Sequence, residues 1–157
     1  MLDAPGDRLE TLLSDYEQRK QDETRRLVQK ALVLEEDRKR GAEYLRRAAL
    51  QHTRDVAERL QHAGHGVVYQ ELLDAYPPNV RIHLYPKASP LDDEKPGRTT
   101  LEITWGEAGS DEVIAKRWNS EGLASTRNQA VVTAEEFDDI WVREQLLTFV
   151  RDVLDLA

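Results

Sequence analysis

The sequence predicts an α+β fold, in which a long N-terminal helix precedes a small antiparallel sheet and a C-terminal helix packs on that sheet. From residue 7 to residue 63 the chain has no proline and one glycine, Gly41, and it is dense in residues that favour helices. The residues that follow alternate apolar and polar side chains in short runs separated by turn residues, which is typical of strands. We therefore expect a helical dimerisation region over 7–64 and a small α+β domain over 65–157.

The helical region is amphipathic, because its apolar residues recur at steps of three and four along one stripe. The stripe consists of Leu9, Leu13, Tyr16, Leu27, Ala31, Leu34, Leu45, Ala49, Val56 and Leu60. Polar residues such as Lys20 and Thr24 interrupt it, so the pattern is not that of a strict leucine zipper. A helix of roughly 55 residues reaches on the order of 80 Å, which is more than the remaining chain can cover. We therefore expect the stripe to form a homodimer interface, with a coiled coil as one form of it.

The course of the helix at Gly41 has two interpretations. A glycine inside a helix costs about 1 kcal/mol relative to alanine, so it marks either a kink or a turn that folds the region into a hairpin. No Asn, Pro or Ser accompanies it, and we therefore favour a continuous helix. Gly64 stands where a left-handed C-cap is expected.

Short strands are predicted after the helix, at 80–85, 99–105 and 112–118. The segment 67–73 is either the first strand or a short helix, since its Glu and Leu content fits both. A short last strand is expected at 129–132. Strands this close in sequence pair most readily as an antiparallel meander, of three to five strands in this chain.

The C-terminal segment predicts a helix whose start is marked by Thr133 and Glu136, which have the spacing of a capping box. One face of this helix is expected to pack on the sheet. It would carry Phe137, Ile140, Trp141, Leu147, Val150 and Leu154, and it is widened by Leu146, Phe149 and Val153.

Composition limits where the protein acts. The net charge is −8 and there is no cysteine, which excludes disulfides and thiolate metal sites and fits a reducing compartment. The N-terminus lacks the basic and apolar regions of a signal peptide. No apolar stretch approaches the roughly 20 residues that span a bilayer. We expect a cytoplasmic protein with no membrane association.

Catalytic and metal-binding patterns are weak. Neither Gly-x-Ser-x-Gly, Ser-x-x-Lys nor a phosphate-binding glycine loop occurs. Glu58, His62 and His65 have the residue types of a metal site, but Gly64 is expected to break the helix between the two histidines. The acidic residues 92–94 lack the glycine and spacing of a calcium loop. We therefore expect no enzymatic activity, no cofactor and no metal.

A basic stretch within the helical region supports an alternative function. It comprises Arg38, Lys39, Arg40, Arg46, Arg47, Arg54 and Arg59. Such residues can follow a phosphate backbone without reading sequence. Against this, residues 65–157 carry the whole net negative charge, and aromatic residues do not interleave with the basic ones.

The sequence Tyr-Pro-Lys-Ala-Ser-Pro at 85–90 resembles the Tyr-Pro-x-x-x-Pro turn of RWD domains. That resemblance, which covers six residues, implies a docking module beside a dimerising coiled coil, as in kinetochore proteins. The order helix, sheet, helix is also similar to that of small dimeric bacterial nucleoid-associated proteins, although no motif accompanies it. Fold-level likeness does not itself carry function.

These patterns favour a non-enzymatic interaction or adaptor protein that is homodimeric through its N-terminal helix. An unidentified protein partner would contact the edge of the sheet or the loop at 85–97. The alternative is a nucleic-acid-binding, nucleoid-associated-like protein that uses the basic stretch.

Overall fold

The computed structural model describes residues 5–88, 97–119 and 129–154. The helices are α1 (Pro5–Ala48), α2 (Leu50–His62) and α3 (Asp139–Val153). The strands are β1 (Gly66–Leu72), β2 (Asn79–Tyr85), β3 (Thr99–Trp105), β4 (Glu112–Asn119) and β5 (Gln129–Thr133). The predicted α+β class, with a long first helix, an antiparallel meander and a last helix, is confirmed.

The sheet is a meander with strand order β1-β2-β3-β4-β5, and each neighbouring pair is antiparallel. The segment 67–73, which the sequence left open between strand and helix, lies largely in β1. Alternation along each strand sends one set of side chains to the helix-covered face. In β2 this set is Val80, Ile82 and Leu84, all of them buried.

The core lies between that face of the sheet and the helices. Leu45 and Ala49 from the end of α1 and its junction with α2, and Val142, Leu146 and Phe149 from α3, are buried. They join buried strand residues in one cluster, among them Ile82, Leu101, Ile103, Trp105 and Val113. The apolar stripe of a helix and the apolar face of a sheet are thus buried against each other.

The chain divides into two compact units, Met1–Glu36 and Asp37–Ala157, which we call the N-terminal unit and the sheet unit. The division falls within α1, whereas the sequence predicted a boundary at residue 64. The reason is that α1 residues from Ala42 onward are buried in the core, so they belong to the unit that holds the sheet.

Gly41 lies inside α1, which continues past it to Ala48 as a single helix. A Cβ atom at this position would lie 2.4 Å from Cγ of Trp105, so only glycine lets the indole approach the helix this closely. The same indole stacks on Tyr44 at 5.4 Å and donates from Nε1 to Asp37 Oδ2 at 3.2 Å. The glycine therefore serves close packing, and it forms neither a turn nor a hairpin.

Helix α3 begins later than its predicted capping box. Asp138 is its N-cap, and Oδ1 of Asp138 accepts a hydrogen bond from Trp141 N at 2.9 Å. Thr133 Oγ1 accepts from Glu136 N at 3.4 Å, but residues 134–136 form a turn after β5. The Thr-x-x-Glu spacing therefore closes a turn, and an aspartate two residues beyond it caps the helix.

The predicted buried face of α3 was also partly wrong. Ile140 and Leu147 are 60% and 61% exposed, whereas Leu146 and Phe149, which the prediction placed at the edge of the face, are buried. Val142, which the prediction left out, is also buried, so the core-facing stripe follows the steps 142, 146 and 149.

Candidate functional site

The N-terminal unit presents apolar side chains to solvent. Residues 6–33 are all exposed, although large apolar side chains occur in two groups, at 9–16 and at 27–33. Those between 52% and 69% exposed are Leu9, Leu12, Leu13, Tyr16, Leu27, Val28, Leu32 and Val33. Groups of exposed apolar side chains such as these, one at 9–16 and one at 27–33, are candidates for interaction sites.

The predicted interface stripe has two different environments. Leu45, Ala49 and Leu60 are buried in the core of the sheet unit, and Val56 packs against that core. Leu45, Ala49 and Leu60 are therefore covered by their own chain, and Val56 is partly covered. Of the remaining stripe residues, Leu34 is half-buried and the others are exposed. The interface hypothesis is thereby narrowed to Leu9, Leu13, Tyr16, Leu27, Ala31 and Leu34.

Charged residues occupy the middle of the exposed stripe. Lys20 Nζ lies 3.6 Å from Glu23 Oε2, one turn along the helix, and 5.6 Å from the centroid of the Tyr16 ring. All three side chains are solvent-exposed, so these contacts add little to the stability of a single chain. The main effect of these charged side chains would therefore be on contacts with another chain, if one packs against this helix.

The basic stretch is largely paired with carboxylates of the same chain. Arg40 bonds Asp111 at 2.6 Å, and Arg47 bonds Glu43 at 3.0 Å. Arg46 also lies near Glu43, Arg54 bonds Glu71, and Arg38 donates to the carbonyl of Leu73 beside Asp74. Neighbouring carboxylates reduce the positive potential that these residues offer to a phosphate. The nucleic-acid hypothesis stays a prediction that these contacts do not favour.

Arg54, Glu71 and Tyr69 form a small network that ties α2 to β1. Hydrogen bonds from Arg54 and from the Tyr69 hydroxyl stabilise the carboxylate and lower the pKa of Glu71. Burial, followed by the hydrogen bond to Glu71, raises the pKa of Tyr69. Both pKa shifts favour a charged Glu71 carboxylate and a neutral Tyr69 hydroxyl at neutral pH, which fits a structural network.

The opposite face of the sheet carries polar side chains. In the neutral tautomer with hydrogen on Nε2, His83 donates to Gln70 Oε1 at 3.1 Å and accepts from Thr100 Oγ1 at 2.7 Å. Burial, with Arg98 and Arg81 nearby, lowers the pKa of His83. Arg81 Nε donates to Glu102 Oε2 at 2.6 Å. Both nitrogens of the imidazole are engaged, so this arrangement holds the sheet together and leaves no nitrogen free for general-base chemistry.

A shallow groove of about 320 Å³ lies between α2 and α3, with Val56 and Leu146 among its lining residues. Its rim carries His52, Asp55, Arg59 and Arg143. Arg143 is already paired with Asp139 at 3.2 Å, which also lies 3.9 Å from His52. The groove therefore lacks a converging set of unpaired catalytic groups.

The candidate metal residues do not converge. His65 Nδ1 accepts a hydrogen bond from Lys87 N at 2.8 Å, which ties the end of the helical region to the chain after β2. Within 5–88, 97–119 and 129–154, no group of three or more His, Cys, Asp or Glu side chains is placed to hold a metal ion. The acidic residues 92–94 lie outside the described residues, as do the last two residues of the RWD-like motif.

Across the part of the chain that the structure describes, no helix is both long and apolar enough to cross a membrane. In comparisons with known proteins, no family model, no curated protein and no solved structure matches this chain.

Proposed function

We propose that the protein is a non-enzymatic interaction or adaptor protein whose copies associate through residues 9–34 of α1. The observation that supports this is the run of large apolar side chains, each more than half exposed, in a helix that belongs to the N-terminal unit. An isolated helix gains little stability in water, and most helices are stabilised by packing of an apolar face. A second copy of the same stripe provides that packing.

The sheet unit then has a separate task in this proposal. Its core is complete within one chain, so it does not need a partner to fold. It would serve as the adaptor domain that is duplicated by helix pairing, in the cytoplasm. A partner protein would contact the sheet edge or the loop that follows Tyr85.

The test compares two double variants by light scattering after size exclusion. We expect the wild type to have a mass of about 36 kDa, twice the 18.0 kDa of one chain. Leu13→Asp with Leu27→Asp changes the stripe and should give the 18.0 kDa monomer. Val28→Asp with Leu32→Asp is the matched control, because these side chains are similarly exposed on the same helix but lie off the stripe.

Tryptophan fluorescence shows whether the variants fold. All three tryptophans, Trp105, Trp118 and Trp141, lie in the sheet unit, so their emission reports that unit alone. We expect it to be unchanged in both double variants. A wild type that stays monomeric at every concentration would refute the proposal, and so would a stripe variant that keeps the dimeric mass.

A further inference from the structure

Residues 9–34 fit a seven-residue repeat whose core positions coincide with the stripe at most places and lie one residue before it at Glu23 and Lys30. Leu13, Lys20, Leu27 and Leu34 are seven residues apart, and so are Leu9, Tyr16, Glu23 and Lys30. These two series occupy the two core positions of a heptad repeat, the positions at which paired helices meet. Each core position therefore contributes charged residues to the seam: Lys20 in one series, Glu23 and Lys30 in the other.

A parallel, in-register pair would bring every core residue against its own copy. Lys20 would then face Lys20, Glu23 would face Glu23, and Lys30 would face Lys30. Like charges held together at an interface weaken association through repulsion and desolvation. A parallel pair would therefore be destabilised by repulsion at each charged core position of the seam.

An antiparallel pair centred between residues 21 and 22 gives a different set of contacts. Lys20 of each copy faces Glu23 of the other, so opposite charges meet twice at the centre of the seam. Farther out, Tyr16 faces Leu27 and Leu9 faces Leu34, which buries apolar side chains against each other at both ends. We propose, resting on the function proposed above, that two copies pair antiparallel in this register.

Two contacts in this register are unfavourable, but each is expected to weaken association only slightly. Leu13 faces Lys30, whose four-carbon stem can pack on the leucine while its ammonium group reaches water. Arg19 and Arg26 flank the seam opposite each other, but exposed charges on long side chains interact weakly. The overlap ends at Leu34, which is half-buried, before the buried part of α1 begins, and the residues from 9 to 33 that it uses are exposed in the single chain.

Disulfide trapping tests the register, because the chain has no cysteine of its own. The full-length variant Tyr16→Cys with Leu27→Cys places one thiol on each member of a predicted contact pair. Eleven residues separate the two positions, about 16 Å along a helix. A disulfide needs Cα atoms about 4.4–6.8 Å apart, so an intrachain bond is excluded.

After mild oxidation, trypsin cleaves behind Arg19, Lys20, Arg25 and Arg26, which leaves the two cysteines on different peptides. We expect the peptide containing Cys at 16 to be joined to the peptide containing Cys at 27. The matched control is Thr11→Cys with Leu32→Cys. In the proposed register, positions 11 and 32 of the two copies lie at the same level along the axis, as 16 and 27 do, but on the outer face of the helices. Their thiols should therefore remain reduced.

The other outcomes separate the two proposals. Disulfides joining 16 to 16 and 27 to 27 would show a parallel dimer, which overturns the register but leaves the proposed function standing. Equal cross-linking in the outer-face control would mean random collision and would overturn the register. A dimeric mass without disulfides in either variant would place the interface elsewhere. A monomeric mass of the wild-type protein would refute the proposed function and the register together.

A charge reversal provides a second measurement. Lys20→Glu should raise the dimer Kd on the order of tenfold to a hundredfold, since Glu would face Glu twice in the antiparallel pair. Adding Glu23→Lys to the same chain should restore the wild-type Kd. In a parallel pair both variants keep like charges face to face, so an unchanged Kd in both would overturn the antiparallel register.

Discussion

Leu27 and Leu45 lie on the same stripe of α1, eighteen residues and five helical turns apart, yet their surroundings differ. Leu27 is 69% exposed, whereas Leu45 is fully buried. The residues around Leu45 are covered by the sheet and the other helices of their own unit, and those around Leu27 are open. The comparison shows that helical periodicity identifies the apolar face of a helix without indicating whether the rest of the chain covers that face.

The two regions also differ in what a mutation should change. In the sheet unit, an apolar side chain contributes to the free energy of unfolding, because removing it leaves a cavity. In the N-terminal unit, under the proposed function, the same side chain would contribute to association, because a single chain exposes it. Substitutions that are chemically identical in the two regions therefore measure different equilibria.

The largest expected effect comes from Leu45→Ala. It should lower the free energy of unfolding of the sheet unit by about 2–5 kcal/mol, the usual range for a leucine removed from a core. Leu27→Ala should change that energy by no more than about 0.5 kcal/mol, as is usual at exposed sites. Urea unfolding followed by tryptophan fluorescence measures both. Equal losses in the two variants would show that Leu27 is part of the same core and would remove the contrast.

A smaller effect is expected for Gly41→Ala. The added Cβ would overlap Trp105, and overpacking costs about 1–3 kcal/mol. The better helix propensity of alanine returns about 1 kcal/mol. The net loss of unfolding free energy should be about 0–2 kcal/mol, toward the upper end because the added Cβ would lie 2.4 Å from Cγ of Trp105.

Gly6→Ala is the matched control for that substitution. Gly6 is also in α1, but a Cβ there meets no atom within 4 Å. We expect its unfolding energy to stay within about 0.5 kcal/mol of wild type. If both alanine variants behaved alike, the close contact between α1 and Trp105 would not contribute to stability.

Much of the fold follows from local patterns. Several strands were predictable because apolar and polar residues alternate along them with a period of two, as expected when one face packs on a core. Val80, Ile82 and Leu84 show this directly, since all are buried while Arg81 and His83 between them are only partly covered. The continuity of α1 was predictable from the absence of turn residues around Gly41.

Other features depend on contacts between distant residues. Nothing near Gly41 in sequence indicates that Trp105 will pack against it. The start of α3 was misplaced because Thr133 and Glu136 satisfy the capping pattern, and only the structure shows that Asp138 caps the helix. The same limit applies to the candidate site, since ten stripe residues look alike in sequence and only the surrounding chain divides them into core and exposed surface.

The smallest expected effect concerns pH, and it too should separate the two regions. All four histidines, His52, His62, His65 and His83, lie in the sheet unit, and the N-terminal unit has none. The pKa of His83 is lowered in the folded state by burial and by Arg98 and Arg81. The folded state therefore binds this proton less readily than the unfolded state, in which histidine titrates near 6.5.

The sign follows from linkage, because stability decreases as the pH decreases wherever the unfolded state binds more protons than the folded state. The contribution of His83 is fully present above about pH 6.5 and declines as the pH falls from there toward the lowered folded-state pKa. The urea midpoint of the sheet unit should thus decrease between pH 7.5 and pH 5.5, and His83→Gln should reduce that decrease. The dimer Kd should stay constant over the same range, since no histidine lies in the proposed interface. A Kd that rose in parallel with the loss of stability would mean that association depends on the sheet unit, and the two regions would no longer be independent.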